Sequence, residues 1–247
     1  MKSFNKKKLS ISKKERTLIE NSFHLVYDLF GSEVLKKETV LPTKDFFPIN
    51  FKGKDRDAFF IYERIADIME IDISNIKLII YSERKDIKFS DGLISIADEN
   101  EKFTTGKYVE YDNGDIEIFI EEQELFNPVS LIATISHEIA HFKLRYEVNY
   151  KEDNEITADV LTIIYGFGIF LANSSLSKLV TWAEGNYSGW KISGGSGYLN
   201  YKMSGYALAY LHYMKKDIDK SDWYKYLEKD IYKEYLKSLR YIESSIK

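Results

Sequence analysis

Residues 127–145 read NPVSLIATISHEIAHFKLR. Asn127 is a favourable N-cap residue and Pro128 suits the first helical position, so the pair predicts a helix over these residues. One face of that helix carries bulky apolar side chains, namely Ile132, Ile135, Ile139 and Phe142. Such a face packs against a protein core. The stretch therefore predicts an amphipathic helix with its polar residues gathered on the opposite side.

An H-E-x-x-H sequence, His137 to His141, lies on that polar side. At about 100° per residue, the two histidines and Glu138 share one sector of the helix. Residues four apart are about 6 Å apart, so both imidazoles can bind one metal ion. The chain has no cysteine, so further ligands must be His, Asp or Glu. A catalytic zinc has three protein ligands and a water, and Glu138 is placed to act as a base towards that water.

The third ligand is expected in residues 153–159, which read DNEITAD. Asp153 or Asn154 can cap a second helix, on which Glu155 and Asp159 fall on one polar stripe. We predict that Glu155 binds the metal and that Asp159 accepts the remaining N–H of one histidine. The opposite assignment, in which Glu155 and Asp159 exchange roles, stays open at this point.

Outside the motif, the pattern predicts a mostly helical α+β fold with a small antiparallel sheet beside the H-E-x-x-H helix. Asn113-Gly114 is typical of a tight hairpin turn and lies between two strand-like runs. Other predicted elements are helices over 14–30, 55–70, 153–164 and 227–242, a strand over 76–81, a hairpin over 107–120 and a Gly/Ser-rich interruption at 193–197. No repeat and no linker divides the chain.

We therefore predict one domain over residues 1–247. Residues 1–16 are rich in lysine and predict a flexible basic arm, residues 107–172 form the core of the metal site, and residues 198–247 form a C-terminal helical part.

The composition limits the class of protein. The 247 residues are 44% hydrophobic, which is typical of a folded domain and not of a disordered one. The net charge of −4 argues against a nucleic-acid partner. The apolar run Val160–Ala172 is shorter than the about 20 residues of a membrane span, so no membrane partner is predicted. The N-terminus lacks the apolar segment of a secretory signal, which favours a cytoplasmic location.

His137 to His141 followed by Glu155 and Asp159 resembles the gluzincin branch of the zincin metallopeptidases. The resemblance covers residues 107–172 and implies a zincin-like domain with Zn²⁺ bound by His137, His141 and Glu155, and Glu138 as general base. It also implies an antiparallel edge strand before the active-site helix, where residues 115–120 fall.

Residues 197–199 and 205–209 resemble a group of uncharacterised bacterial zincin-like proteins. Two features of other branches are missing, because no glycine follows His141 at the metzincin position and no asparagine-rich substrate strand is evident.

The function expected from these residues is zinc-dependent hydrolysis of peptide bonds in a protein or peptide that pairs with the edge strand. A second donor would stabilise the oxyanion, and the candidates are Tyr206, Tyr198 and His212, in that order. His24 has no expected role. Two alternatives stay open: a regulatory or interaction module with a non-catalytic zinc, and a non-peptide metallohydrolase. No oligomeric state is predicted.

Overall fold

A computed structural model describes residues 8–82, 87–88, 94–95, 105–152, 154–176, 178–179, 191–192, 198–215 and 222–245. The helices are α1 (Lys13–Phe30), α2 (Asp55–Met69), α3 (Pro128–Tyr146), α4 (Glu155–Thr162), α5 (Gly168–Ser174), α6 (Tyr201–Lys215) and α7 (Lys229–Ser245). The strands are β1 (Ile76–Tyr81), β2 (Ile87–Lys88), β3 (Ile94–Ser95), β4 (Gly106–Glu110), β5 (Ile116–Glu121), β6 (Lys178–Leu179) and β7 (Lys191–Ile192). This order confirms the predicted mostly helical α+β class.

The helix that carries the H-E-x-x-H sequence is the central element of the core. Its N-cap is Asn127, whose side-chain oxygen accepts hydrogen bonds from the backbone N–H groups of Val129 and Ser130, as the sequence predicts. Helix α3 packs against α2, α4, α5 and the strands β4 and β5. Its apolar face is fully buried at Ile135 and Ile139. The site is therefore built on a helix that neighbours hold from several sides.

The main sheet has three strands in the order β1-β5-β4. The pair β4 and β5 forms the predicted antiparallel hairpin, while β1 pairs with β5 in parallel, so the sheet is mixed. The expectation that residues 115–120 form an edge strand is wrong, because β1 covers the second side of β5. Among the described strands of this sheet, β4 lies at the edge beside α3. Strands β2 and β3, and β6 and β7, form two short antiparallel ladders.

Regular structure begins nearer to the N-terminus than the lysine-rich sequence predicts. Ser12 caps α1, and its side chain accepts from the Glu15 backbone while Glu15 accepts from the Ser12 backbone. Arg16 donates to the Tyr241 hydroxyl at 2.6 Å, which ties α1 to α7. The predicted flexible arm over residues 1–16 is thus wrong from Ser12 onwards. Residues 1–7, Asp153 and the interruption at 193–197 lie outside the described residues.

The chain from α4 to α5 is continuous and buried. A π-helical turn, Ile163–Phe167, joins the two helices, and Gly166 within it has φ +99°. Among the described residues, one stretch, Glu155–Ser174, is long and apolar enough to cross a membrane, and most of it is buried inside the protein. Such burial is that of a core helix.

Substitution of Gly166 tests this turn. A Cβ atom at Gly166 would be 2.2 Å from the Glu38 carbonyl oxygen, whereas one at Gly114, which also has positive φ, would meet nothing within 4 Å. We expect Gly166→Ala to lower the free energy of unfolding by about 2 to 5 kcal/mol, from backbone strain and overpacking together. Gly114→Ala, the matched control, should cost about 1 to 2 kcal/mol, from strain alone. Urea denaturation measures both, and equal losses would contradict the close approach at Gly166.

Candidate metal centre

Helices α3 and α4 bring three metal-ligating side chains together. His137 and His141 lie one turn apart on α3, and Glu155 is the first residue of α4, which Asn154 caps with a hydrogen bond from the Thr157 backbone. Glu155 Oε2 is 3.0 Å from His137 Nε2 and 3.1 Å from His141 Nε2. The two imidazole nitrogens are 3.1 Å apart. The structure thus assembles the three residues that the sequence analysis proposed as ligands.

The arrangement fits a divalent cation. Atoms that are each about 2.1 Å from one metal ion are about 3 to 3.5 Å from one another, as these three are. Two imidazoles and one carboxylate are also a donor set that transition metals accept. His137, His141 and Glu155 form the group among the described residues that could hold a metal ion.

Asp159 lies behind the three ligand atoms. Its Oδ1 is 2.8 Å from His137 Nδ1, and its side chain is fully buried. Its Oδ2 accepts hydrogen bonds from the backbone N–H groups of Tyr198 and Leu199, at 2.7 Å and 2.8 Å. This geometry favours Glu155 as the metal ligand and Asp159 as the hydrogen-bond partner of His137 Nδ1. The two backbone donors carry no side-chain signal, so the sequence analysis could not find them.

Contacts within the site shift the pKa values of its titratable groups. Burial alone would lower the pKa of His137, but its hydrogen bonds with Asp159 and Glu155 outweigh burial and hold the pKa well above its usual value. Burial alone would raise the pKa of Glu155, but the hydrogen bonds with His137 and His141 outweigh it and lower the pKa to about 2. The two carboxylates therefore stabilise positive charge at His137, which a metal cation would supply in place of the proton on Nε2.

Glu138 borders the same site and is held by the edge strand. It is 7% exposed, and this burial raises its pKa, although the charges of His137 and His141 and a hydrogen bond from the Tyr108 backbone act in the opposite direction. A Cβ atom at Gly106 would be 2.8 Å from Glu138 Oε1 and 2.4 Å from Thr134 Cγ2. Neither Gly106 nor Tyr108 was identified from the sequence. The signal available was a glycine at the start of a strand, which often marks a close approach.

Two of the proposed oxyanion donors, Tyr206 and His212, have hydrogen-bond partners on neighbouring helices. The Tyr206 hydroxyl donates to Glu20 on α1 at 2.5 Å, and its ring stacks on Tyr210. Burial, together with Glu20, raises the pKa of Tyr206. His212 Nδ1 is 2.6 Å from the Tyr235 hydroxyl. The Tyr206 hydroxyl thus serves the contact between α6 and α1, and His212 serves the contact between α6 and α7, which argues against both as oxyanion donors.

Tyr198 and His24 are also among the described residues. Tyr198, the second candidate donor, adjoins the site through its backbone bond to Asp159, and its side chain is 63% exposed. His24, for which no role was expected, lies 3.2 Å from the Tyr210 hydroxyl.

Comparisons with protein-family models, with curated proteins and with solved structures found no match to this chain.

Removal of single ligands tests the metal centre. We expect one divalent cation per chain in the wild type, and an affinity more than about 100-fold weaker in His141→Ala and in Glu155→Ala, because each loses a ligand while the fold keeps α3 and α4. His24→Ala removes a histidine that does not belong to this group of ligands and should bind the cation as the wild type does. Plasma mass spectrometry after gel filtration measures the metal content. Stoichiometric metal in both ligand variants would show that the cation binds elsewhere.

Proposed function

We propose that this protein is a zinc-dependent peptidase that hydrolyses peptide bonds in a protein or peptide substrate. The observation that carries the proposal is the set of three ligand atoms of His137, His141 and Glu155, 3.0 to 3.1 Å apart, with the buried carboxylate of Glu138 beside them. Two histidines and one carboxylate leave a coordination position open, which is the pattern of catalytic and not of structural zinc sites. The absence of cysteine in the chain agrees with this choice.

A bound zinc would supply Lewis acidity, which lowers the pKa of a water molecule and polarises a substrate carbonyl. His137, His141 and Glu155 would hold the ion. Asp159 would keep the proton of the neutral His137 imidazole on Nδ1, which would leave the lone pair of Nε2 for the ion.

Glu138 moves the proton. Its carboxylate takes a proton from the attacking water and returns it to the nitrogen of the leaving amine, so the carboxylate is regenerated when the peptide C–N bond is broken. Burial strengthens Glu138 as a base, because a desolvated carboxylate is more easily protonated.

The outer edge of β4, which pairs with no other described strand, favours a peptide as the substrate. Two backbone hydrogen bonds show which residues of β4 direct their N–H and C=O groups towards β5. The Glu121 N–H donates to the Thr105 carbonyl oxygen, and the Tyr111 N–H donates to the Asp115 carbonyl oxygen. By alternation, the backbone groups of Gly106, Tyr108 and Glu110 point away from β5, and the Tyr108 N–H among them donates to Glu138. An extended peptide could add to this edge as a further strand, next to Glu138. That is the reason to prefer a peptidase over a hydrolase of small esters or amides.

Glu138→Gln separates metal binding from chemistry. We expect this variant to bind zinc as the wild type does and to lose about 10² to 10⁴ in kcat, because an amide cannot accept the proton. His137→Ala should lose both zinc and activity. Zinc content by mass spectrometry and cleavage of a mixed peptide library measure the two effects.

The outcome also distinguishes the alternatives. Zinc in the wild type with no cleaved peptide would favour an interaction module. Zinc with cleavage of ester or non-peptide amide substrates alone would favour a different hydrolase. Equal peptide cleavage by the wild type and Glu138→Gln would contradict the role of Glu138 as the base.

Gly106→Ala tests the position of Glu138. The new methyl group would press on Glu138 Oε1 and on Thr134 Cγ2, so we expect unchanged zinc content, lower stability and about 100-fold lower kcat/KM. Thr134→Ser removes the Cγ2 methyl group and keeps the hydroxyl, which donates to Glu124. The double variant should therefore recover stability but not activity. Full recovery of activity would show that the contact with Glu138 is unimportant.

A further inference from the structure

The carboxylate of Asp159 joins the metal centre to a distant part of the chain. It is fully buried, and its hydrogen bonds come from His137 on one oxygen and from the backbone of Tyr198 and Leu199 on the other. The two backbone donors are 39 and 40 residues beyond Asp159 in the chain. We call the two N–H groups of Tyr198 and Leu199 the amide clamp.

The amide clamp fixes the roles of both oxygens. Backbone N–H groups only donate, so Asp159 Oδ2 can only accept, and the carboxylate plane is set by two bonds of 2.7 Å and 2.8 Å. Oδ1 is then held towards His137 Nδ1, where it accepts the N–H of the imidazole. In the neutral imidazole, a proton on Nδ1 leaves Nε2 as the nitrogen with a lone pair, which is the form that binds a metal.

The start of α6 makes the amide clamp rigid. Asn200 Oδ1 accepts from the backbone of Lys202 and Met203 and so caps α6. The Ser204 hydroxyl donates to the Leu199 carbonyl oxygen, and the Leu199 side chain is 2% exposed. Helix α6 in turn packs against α1 and α7. The position of the two N–H groups is therefore set by the C-terminal helices and not by the metal ligands.

We propose that the amide clamp of Tyr198 and Leu199 is a positioning element of the metal centre, through which the docking of α6 controls the affinity for zinc. The proposal rests on the metal site of the proposed function but not on its peptidase activity. Because binding linkage is reciprocal, zinc should also tighten the hold of Asp159 on the two N–H groups. The C-terminal helices thereby gain a role in the site, although they contribute no ligand.

Tyr198→Pro removes one donor of the amide clamp, and Tyr198→Ala is the matched control that removes the side chain and keeps the N–H. The zinc dissociation constant is measured by competition with a chromogenic chelator on the full chain, with circular dichroism to compare the folds. We expect Tyr198→Ala to bind zinc within about 2-fold of the wild type, and Tyr198→Pro to bind it about 10 to 100-fold more weakly. Wild-type affinity in folded Tyr198→Pro would overturn the proposal.

Hydrogen exchange provides a second measurement that does not depend on a variant. In the wild type, zinc should slow exchange of the Tyr198 and Leu199 backbone N–H groups more than exchange in α7, because linkage acts on the amide clamp directly. Equal slowing in both places would overturn the proposal even if Tyr198→Pro fails to fold.

The two proposals fail in different ways. Zinc binding that weakens in Tyr198→Pro, in a protein that cleaves no peptide, would support the amide clamp and overturn the peptidase. A wild type that binds no zinc would overturn both.

Discussion

The hydrogen bond between Asp159 and His137 is the contact on which the arrangement of the site depends. It joins α3 to α4 at 2.8 Å, in a place where neither side chain has ready access to water. A buried carboxylate is costly unless its oxygens are hydrogen-bonded, and both oxygens of Asp159 are. A second polar contact joins the helices one turn away, where the Thr162 hydroxyl lies 3.4 Å from the Ser136 carbonyl oxygen of α3. The same hydroxyl also donates to the Ala158 carbonyl oxygen within α4. The two helices are thus held in register by polar groups that must remain paired.

That constraint explains why α3 is buried around so much of its circumference. One face packs into the core through Ile135 and Ile139, and the other carries His137 and Glu138, which are nearly as buried. The polar face is covered by α4 on one side and by the edge strand β4 on the other. Gly106 allows this approach, because a larger residue would collide with Glu138. Among the described strands, none pairs with the outer edge of β4, which lies beside this carboxylate.

The sequence predicted the elements whose signals are local. Asn127 and Pro128 begin α3, Asn113-Gly114 turns the hairpin, and residues four apart on one helix predict the pairing of His137 with His141. It did not predict the parallel pairing of β1 with β5, because residues about 40 positions apart carry no local mark of their pairing.

The surroundings of the site were hard to predict for the same physical reason. Tyr206 was chosen for its chemistry, whereas its location depends on the packing of α6 against α1 and on Glu20. The amide clamp was missed because every residue except proline has a backbone N–H group, and only the fold decides which ones meet a carboxylate.

Two carboxylates in one site need different environments if they are to do different work. Glu155 is half-buried and faces two imidazoles, which lower its pKa to about 2, so it stays anionic as a metal ligand must. Glu138 is more deeply buried, and burial raises its pKa despite the same two histidines. The environment thus separates a carboxylate suited to bind a cation from one suited to exchange a proton. Since the histidines are common to both, the difference comes from position: Glu155 begins a helix at the opening of the site, and Glu138 lies one residue after His137, beneath the edge strand.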